Sequence, residues 1–369
     1  MIYLDHNATT PLDAEVRDAM ILSLHVFGNP SSGHSIGAEA KALVDNARQQ
    51  AARLIRCAPE EIVFTSGGTE ADNLAIIGTA LRHSGGHIIT SAIEHPAVLN
   101  PVLWLLHRGY EVTVLPVDPS GMVSPDDVGK AVRKDTILIT VMHSNNETGV
   151  LQPVGEIGKI AREHGIPFHT DAAQSAGKIA VDVNDLRVDM LTLVPHKFYG
   201  PKGIGALYVR SGLPLTPVLF GAGQERGLRP GTENITGIAG LGKACETAAY
   251  HMTARFEHTR FLRDMLHSLL GASLDIRLNG HETLRLPNTL NISLQGARAA
   301  DIVSQLQDEV AFSAGSACHA GVTTPSAVLK SMGLSDEDAL SAVRLSTGKD
   351  NTAEEIKSAA EAIIRCVKR

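Results

Sequence analysis

The sequence predicts an α/β protein: a mainly parallel sheet covered by helices, followed by a smaller α+β unit. Three observations carry this. Short runs rich in Ile, Val and Thr alternate with stretches of helical period over most of the chain. Such alternation is the pattern of strand–helix–strand crossovers, whose strands run parallel and are buried on both faces. After Gly231 it gives way to one long helical region and then to short strands and helices.

The elements follow in order. Seven strand candidates are Glu61–Thr65, His87–Thr90, Glu111–Val117, Thr136–His143, Ile166–Thr170, Met190–Val194 and Gly205–Val209. Before them, Leu43, Ala47, Ala51 and Leu54 recur every three to four residues, which places them on one helix face. Further helices are expected after Thr69, Pro96 and Pro153. Beyond Gly231 come a helix from about Glu233 to Leu270, a strand over Asn288–Leu294, a helix over Ala299–Gln307, a loop of small residues and two more helices. In a sheet wound this way, ligands gather at the carboxyl ends of the strands.

Composition narrows the function. The 369 residues carry 33 basic and 40 acidic side chains, a net charge of −7. A direct nucleic-acid binder needs a basic face, and this balance argues against one. Four scattered cysteines, Cys57, Cys245, Cys318 and Cys366, exclude a disulfide framework, and the absence of any CxxC or HExxH spacing argues against a metal site. The opening MIYLDHNATT lacks a secretory core, and apolar windows such as Ile137–Val141 are far shorter than the roughly 20 residues of a spanning helix. A soluble, cytoplasmic protein without membrane contact is expected.

Three segments at predicted strand ends carry chemistry. Thr65-Ser66-Gly67-Gly68-Thr69-Glu70 leads from a strand into a helix, where glycines admit an anion and free N–H groups receive it. The local alternative is a turn capped by Thr69. His169-Thr170-Asp171-Ala172-Ala173-Gln174 puts a carboxylate at a strand tip, suited to a cation or a protonated ring nitrogen. Its alternative is a helix N-cap. Val194-Pro195-His196-Lys197 places a lysine at an apolar strand exit, where desolvation lowers its pKa and favours an imine-forming amine. A phosphate cradle, a strand-tip acid and a strand-tip lysine together suit pyridoxal 5'-phosphate.

With these residues in place the chain resembles the cysteine desulfurases of the nitrogen-fixation and iron–sulfur-cluster type, within the class V aminotransferase group. The likeness runs through YLDHNATTP, FGNPSSGHSIGAEA, FTSGGTEADN, SAIEHPAVL, SNNETGVLQP, HTDAAQSAGK, HKFYGPKGIGALYV, GQERGLRPGTEN, LPNTLN, SAGSACHAG and AVRLS. It implies pyridoxal-phosphate fold type I, with a large domain of residues 16–250 and a small domain of 1–15 and 251–369. It implies that Lys197 binds the cofactor covalently, Asp171 pairs with its ring nitrogen and Gln174 bonds its ring hydroxyl. His95 would stack on the ring and move protons. Gly68, Thr69 and His196 would bind the phosphate, and Thr232 would reach the phosphate of a partner subunit in a homodimer. Asn146 would lie beside both the cofactor and the substrate, and Arg344 would grip the substrate carboxylate.

By the same likeness Cys318 is the nucleophile that takes sulfur from L-cysteine, releasing L-alanine and passing a persulfide to an acceptor or scaffold protein. Its setting, Ser313-Ala314-Gly315-Ser316-Ala317-Cys318-His319-Ala320-Gly321, is small and polar, unlike that of the other three cysteines, which read as packing residues. The distance from Cys318 to Pro325 marks the longer loop of the iron–sulfur branch. One departure stands out. Val194 replaces a Ser usual in close relatives, so one phosphate hydrogen bond is expected to be missing. Val also occupies this position in the similar selenocysteine lyases, which leaves L-selenocysteine as an alternative substrate. A class V aminotransferase is a further alternative.

Overall fold

The computed structural model describes residues 1–319 and 322–368, and the side chains among them outside 316–323. All seven strand candidates form one sheet. Its order is Ile62–Thr65, Gly205–Val209, Met190–Leu193, Phe168–Asp171, Thr136–Thr140, His87–Ser91 and Glu111–Leu115. The last five run parallel, and Gly205–Val209 is antiparallel to both its neighbours. The sheet is therefore mixed but mainly parallel. Six strands are buried at every residue, as helices on both faces require. Glu111–Leu115, at one edge, exposes Glu111 and Val114 instead.

Two strands stop earlier than their apolar runs suggest. Thr136–Thr140 is the regular part, but bonds to the next strand go on, from the Val141 N–H to the His169 carbonyl at 3.2 Å and from the His143 N–H to the Asp171 carbonyl at 2.9 Å. The chain then turns at Asn145, whose Oδ1 accepts from the N–H groups of Glu147 and Thr148. Glu111–Leu115 ends two residues before Val117.

The helix Ser35–Ile55 buries Ala40, Val44, Ala47, Ala51 and Ile55. Of the predicted face Ala47, Ala51 and Leu54 are buried, while Leu43 lies half-buried at the flank and Val44 turns inward in its place.

The helix Ile235–Gly271 joins two cores. Ile238, Leu241, Ala244, Cys245 and Ala248 pack with the large sheet. Leu262, Leu266 and Leu270 pack with Leu4, Ile292, Val343 and Ile363 in a second core. That second core lies on a four-stranded sheet ordered Ser313–Ala314, Ala342–Ser346, Thr289–Leu294, Ile276–Leu278. Of these only Thr289–Leu294 is legible from sequence; the others are two to five residues long and lack a clear period. The chain start also joins this half, with Ile2–Tyr3 parallel to Val310–Ala311. The expected small-residue loop includes a hairpin in its described part, where Ser316–His319 pairs antiparallel with Val322–Pro325 and Cys318 lies opposite Thr323.

Candidate active site

A cleft of about 350 Å³ opens at the carboxyl ends of the central strands. Gly68, Thr69, His95, Asn146, Asp171, Gln174, His196, Lys197 and Arg344 all line it. They come from positions far apart in sequence because each follows, or ends, a different strand. Arg344 arrives from the small sheet.

Gly68 opens the helix Gly68–Ala80. A Cβ there would sit 2.6 Å from Val194 Cγ2, so only glycine leaves this corner of the cleft open. Glu70 steadies the turn: it accepts from the Ser66 N–H at 2.8 Å and from Arg229 Nε at 3.0 Å. Those bonds, with the Arg229 charge, hold its carboxyl below the usual range against the opposing effect of burial.

Lys197 ends a short turn after Met190–Leu193. Its Nζ donates to the backbone carbonyls of Asn7 and Ala8, both at 2.7 Å. Among the described residues no carboxylate bonds it. Burial, with the Arg344 guanidinium nearby, lowers its pKa to about 8, against opposing pulls from Asp171 and Asp5. The amine thereby loses its proton far more readily than an ordinary lysine, though below about pH 8 the charged form still dominates.

Asp171 is buried at its strand tip, and Oδ1 accepts from the Ala173 N–H at 2.8 Å. Burial raises its pKa, while that N–H bond, His95 and Lys197 oppose the rise. A buried carboxylate placed so is stabilised by a cation across the cleft. His95 caps the helix Pro96–Leu106, its Nδ1 accepting from the Ala97 N–H at 3.1 Å. That bond puts the proton of the neutral ring on Nε2. Enclosure by the protein, and the Lys197 charge, lower its pKa. His196 is also kept neutral, pushed down to about 4 by burial and by Lys197, Lys202 and Lys178. Its Nδ1 meets Thr9 Oγ1 at 3.2 Å.

Arg344 enters the cleft already oriented. Nη1 donates to the Asn146 carbonyl at 3.1 Å, and Nη2 to Asp5 Oδ1 at 2.8 Å and Ser313 Oγ at 2.9 Å. Its Nε is buried without a partner. A guanidinium has five donors, so these bonds fix the plane and leave capacity for an incoming anion.

One of the described side chains singled out from sequence is not in the cleft. Thr232 is exposed outside it. The side chain of Cys318 lies outside the described residues. Of the other cysteines, Cys245 is buried in the first core, and Cys57 and Cys366 pack at the edges of the two cores.

Sequence reasoning overlooked Asn7, Asp72 and Lys178. Asn7 and Asp72 line the cleft. Lys178 reaches Asn7 Oδ1 and Gln174 Oε1, both at 3.0 Å. All three lie inside segments already noted, LDHNATT, GGTEADN and DAAQSAGK. Their signal was polarity within otherwise small or apolar runs.

Comparison with known proteins agrees with this geometry. Residues 2–358 match the class V aminotransferase family. The cysteine desulfurase IscS of Dictyoglomus turgidum is 45% identical over 373 residues, covering 100% of this chain and 95% of that protein. The solved structure of a NifS-like protein superposes with a TM-score of 0.93 at 35% identity, covering 100% of this chain and 99% of that one. The structure of SspA in complex with cysteine gives a TM-score of 0.85 at 39% identity, covering 95% of this chain and 100% of that one.

Proposed function

The chain belongs to the class V aminotransferase family as a cysteine desulfurase of the IscS/NifS-like kind, and from that membership we propose how its own residues perform the reaction. It takes sulfur from L-cysteine, releases L-alanine and hands the sulfur as a persulfide to an acceptor protein. The observation that carries this reading is the Lys197 amine, free of any carboxylate partner and brought to a pKa of about 8, in one cleft with the buried Asp171 carboxyl and the Gly68 corner.

The residues fit pyridoxal 5'-phosphate. Gly68 leaves open the space a Cβ would fill beside Val194. Asp171 is a buried acid in want of a cation, and Lys197 a reactive amine. When bound, the cofactor supplies an aldehyde carbon and a protonated ring that draws electrons from the substrate's α-carbon. Gly68, Thr69 and His196 hold its phosphate, with Val194 offering a methyl where a hydroxyl would bond. Asp171 would keep the ring nitrogen protonated, and Gln174 would donate from its amide to the ring hydroxyl. Arg344 and Asn146 hold the substrate carboxylate. Lys197 removes and returns the α-proton, and His95 moves a proton at Nε2. The Cys318 thiolate would form the new S–S bond to the substrate sulfur, while the pair of the broken carbon–sulfur bond stays with the carbon, which takes up a proton and becomes the methyl group of alanine.

The large exposed side chains Leu22, Leu24, Phe27, Phe220 and Tyr250 support a homodimer, in which Thr232 reaches the phosphate of the second copy. The two cores support a large domain of 16–250 and a small one of 1–15 and 251–369, meeting inside the helix Ile235–Gly271. A reducing cytoplasm would keep the Cys318 thiol free between turnovers.

A product assay tests the reading. With L-cysteine the purified protein is expected to yield one L-alanine per sulfur transferred, and Cys318→Ser to form no protein-bound persulfide. Full persulfide formation by Cys318→Ser sinks the role of Cys318. A rate on L-selenocysteine far above that on L-cysteine would establish the alternative substrate.

The Lys197 pKa makes a second prediction. Only a neutral amine adds to an aldehyde. Below about pH 8 Lys197 is mostly protonated and inert, and above it neutral and reactive. The initial rate at which apoprotein gains the visible band of bound pyridoxal 5'-phosphate is expected to rise about tenfold per pH unit below the midpoint and to level off above it. A rate flat from pH 6 to 9 contradicts this.

A further inference from the structure

Lys178 is an unusual lysine. Some of the residue stays accessible, yet its amine is enclosed, and among the described residues it makes no ion pair. Lys197 and Arg344 are the charges that bear on it, and both repel it. Enclosing an amine beside two cations costs free energy. The bonds it makes are specific. Nζ donates to Gln174 Oε1 and to Asn7 Oδ1, each at 3.0 Å.

Burial and those two cations pull the Lys178 pKa well below the usual lysine value, but charged or neutral the amine donates here, because both contacts are to amide oxygens, which only accept. The rest of each amide is then decided. Gln174 Nε2 faces away from Lys178 and donates to the Asn7 carbonyl at 2.9 Å, with one N–H still unspent. Asn7 Oδ1 also accepts from Asn288 Nδ2 at 3.0 Å, and Asn7 Nδ2 donates to Thr289 Oγ1 at 2.9 Å. The Asn7 carbonyl receives both Gln174 Nε2 and Lys197 Nζ. Lys178 is thus linked to the Lys197 amine through one residue by one route and two by the other.

We infer that Lys178 is a positioning residue, which pins the amides of Gln174 and Asn7 so that Gln174 presents a donor, not an acceptor, to the group bound at Lys197. The inference rests on the cofactor reading above and extends it to a residue that does not itself touch the cofactor. Without Lys178 the Gln174 amide is free to flip, and in half of its orientations its oxygen would face the ring hydroxyl.

The test is a titration of apoprotein with pyridoxal 5'-phosphate, read by the position of the absorbance band and by the dissociation constant. Lys178→Met keeps the stem and removes the donors. It is expected to weaken binding roughly tenfold and to shift the band. Gln174→Leu should give the same shift, and the double variant no more than Gln174→Leu alone, because Lys178 acts through that amide. A merely structural lysine would leave the band in place and its loss would add to that of Gln174. An unchanged band and affinity in Lys178→Met, or fully additive losses, overturns the inference while leaving the functional reading intact. If the wild-type protein takes up no cofactor, both fall together. Should the methionine variant not fold, Lys178→Gln is read by the same criteria.

Discussion

Lys197→Ala is expected to lose the visible band that reports covalent attachment of pyridoxal 5'-phosphate, and to lose turnover by roughly 10²–10⁴-fold or more. The range is that of a single proton-transferring group, and Lys197 also supplies the covalent anchor. No other amine is placed to substitute. Lys178 shares Asn7 with Lys197, but its N–H bonds go to Gln174 Oε1 and Asn7 Oδ1. The fold should survive. Lys197 takes part in no ion pair, and its removal frees the carbonyls of Asn7 and Ala8, of which Asn7 keeps Gln174 Nε2. The cost of that is about 1–2 kcal/mol. A variant that melts near the wild type and still binds the cofactor reversibly, without the band, is the expected outcome. Retention of the band or of turnover would falsify the assignment.

Asp171→Asn is the second large effect. Asn keeps an oxygen for the Ala173 N–H but replaces the other with a donor, which meets a protonated ring nitrogen badly. Losing one member of a buried ion pair costs roughly 3–5 kcal/mol, or about 10² to a few times 10³-fold in rate or cofactor affinity. The apoprotein should respond in the opposite direction. Burial disfavours the Asp171 charge, and the buried acids Asp72 and Glu94 lie close enough to interact with it. A neutral amide relieves that penalty, so the cofactor-free variant should melt at or above the wild-type temperature. Turnover within threefold of wild type, with unaltered cofactor affinity, would show that Asp171 is not the partner of the ring. The two measurements together separate lost chemistry from lost stability.

Much of the site was legible because its chemistry follows strands directly. Gly68, Asp171 and Lys197 each stand at or just beyond a β-branched run, and parallel strands carry their exits to one edge of the sheet. Asn7 and Lys178 were present in the same segments, yet nothing local distinguishes a hydrogen-bonding hub from a polar turn residue. Arg344 could be named as an anion ligand by likeness. That two of its nitrogens already hold Asp5, Ser313 and Asn146 could not, since Asp5 and Arg344 are separated by 339 positions.

Residue type and period alone carried the strand and helix inventory of the large sheet, the order of the chemical groups along it and the family to which they belong. Period and residue type are local properties, and they survive in one dimension. Only the tertiary structure decided the sheet order with Gly205–Val209 reversed in its midst. It alone folded the first ten residues over Lys197 and put Lys178 behind Gln174. It also lowered the Lys197 pKa to about 8. These depend on which distant surfaces exclude water from a given amine or carboxylate. Desolvation and charge pairing act through space over a few ångströms, and chain position does not encode those distances.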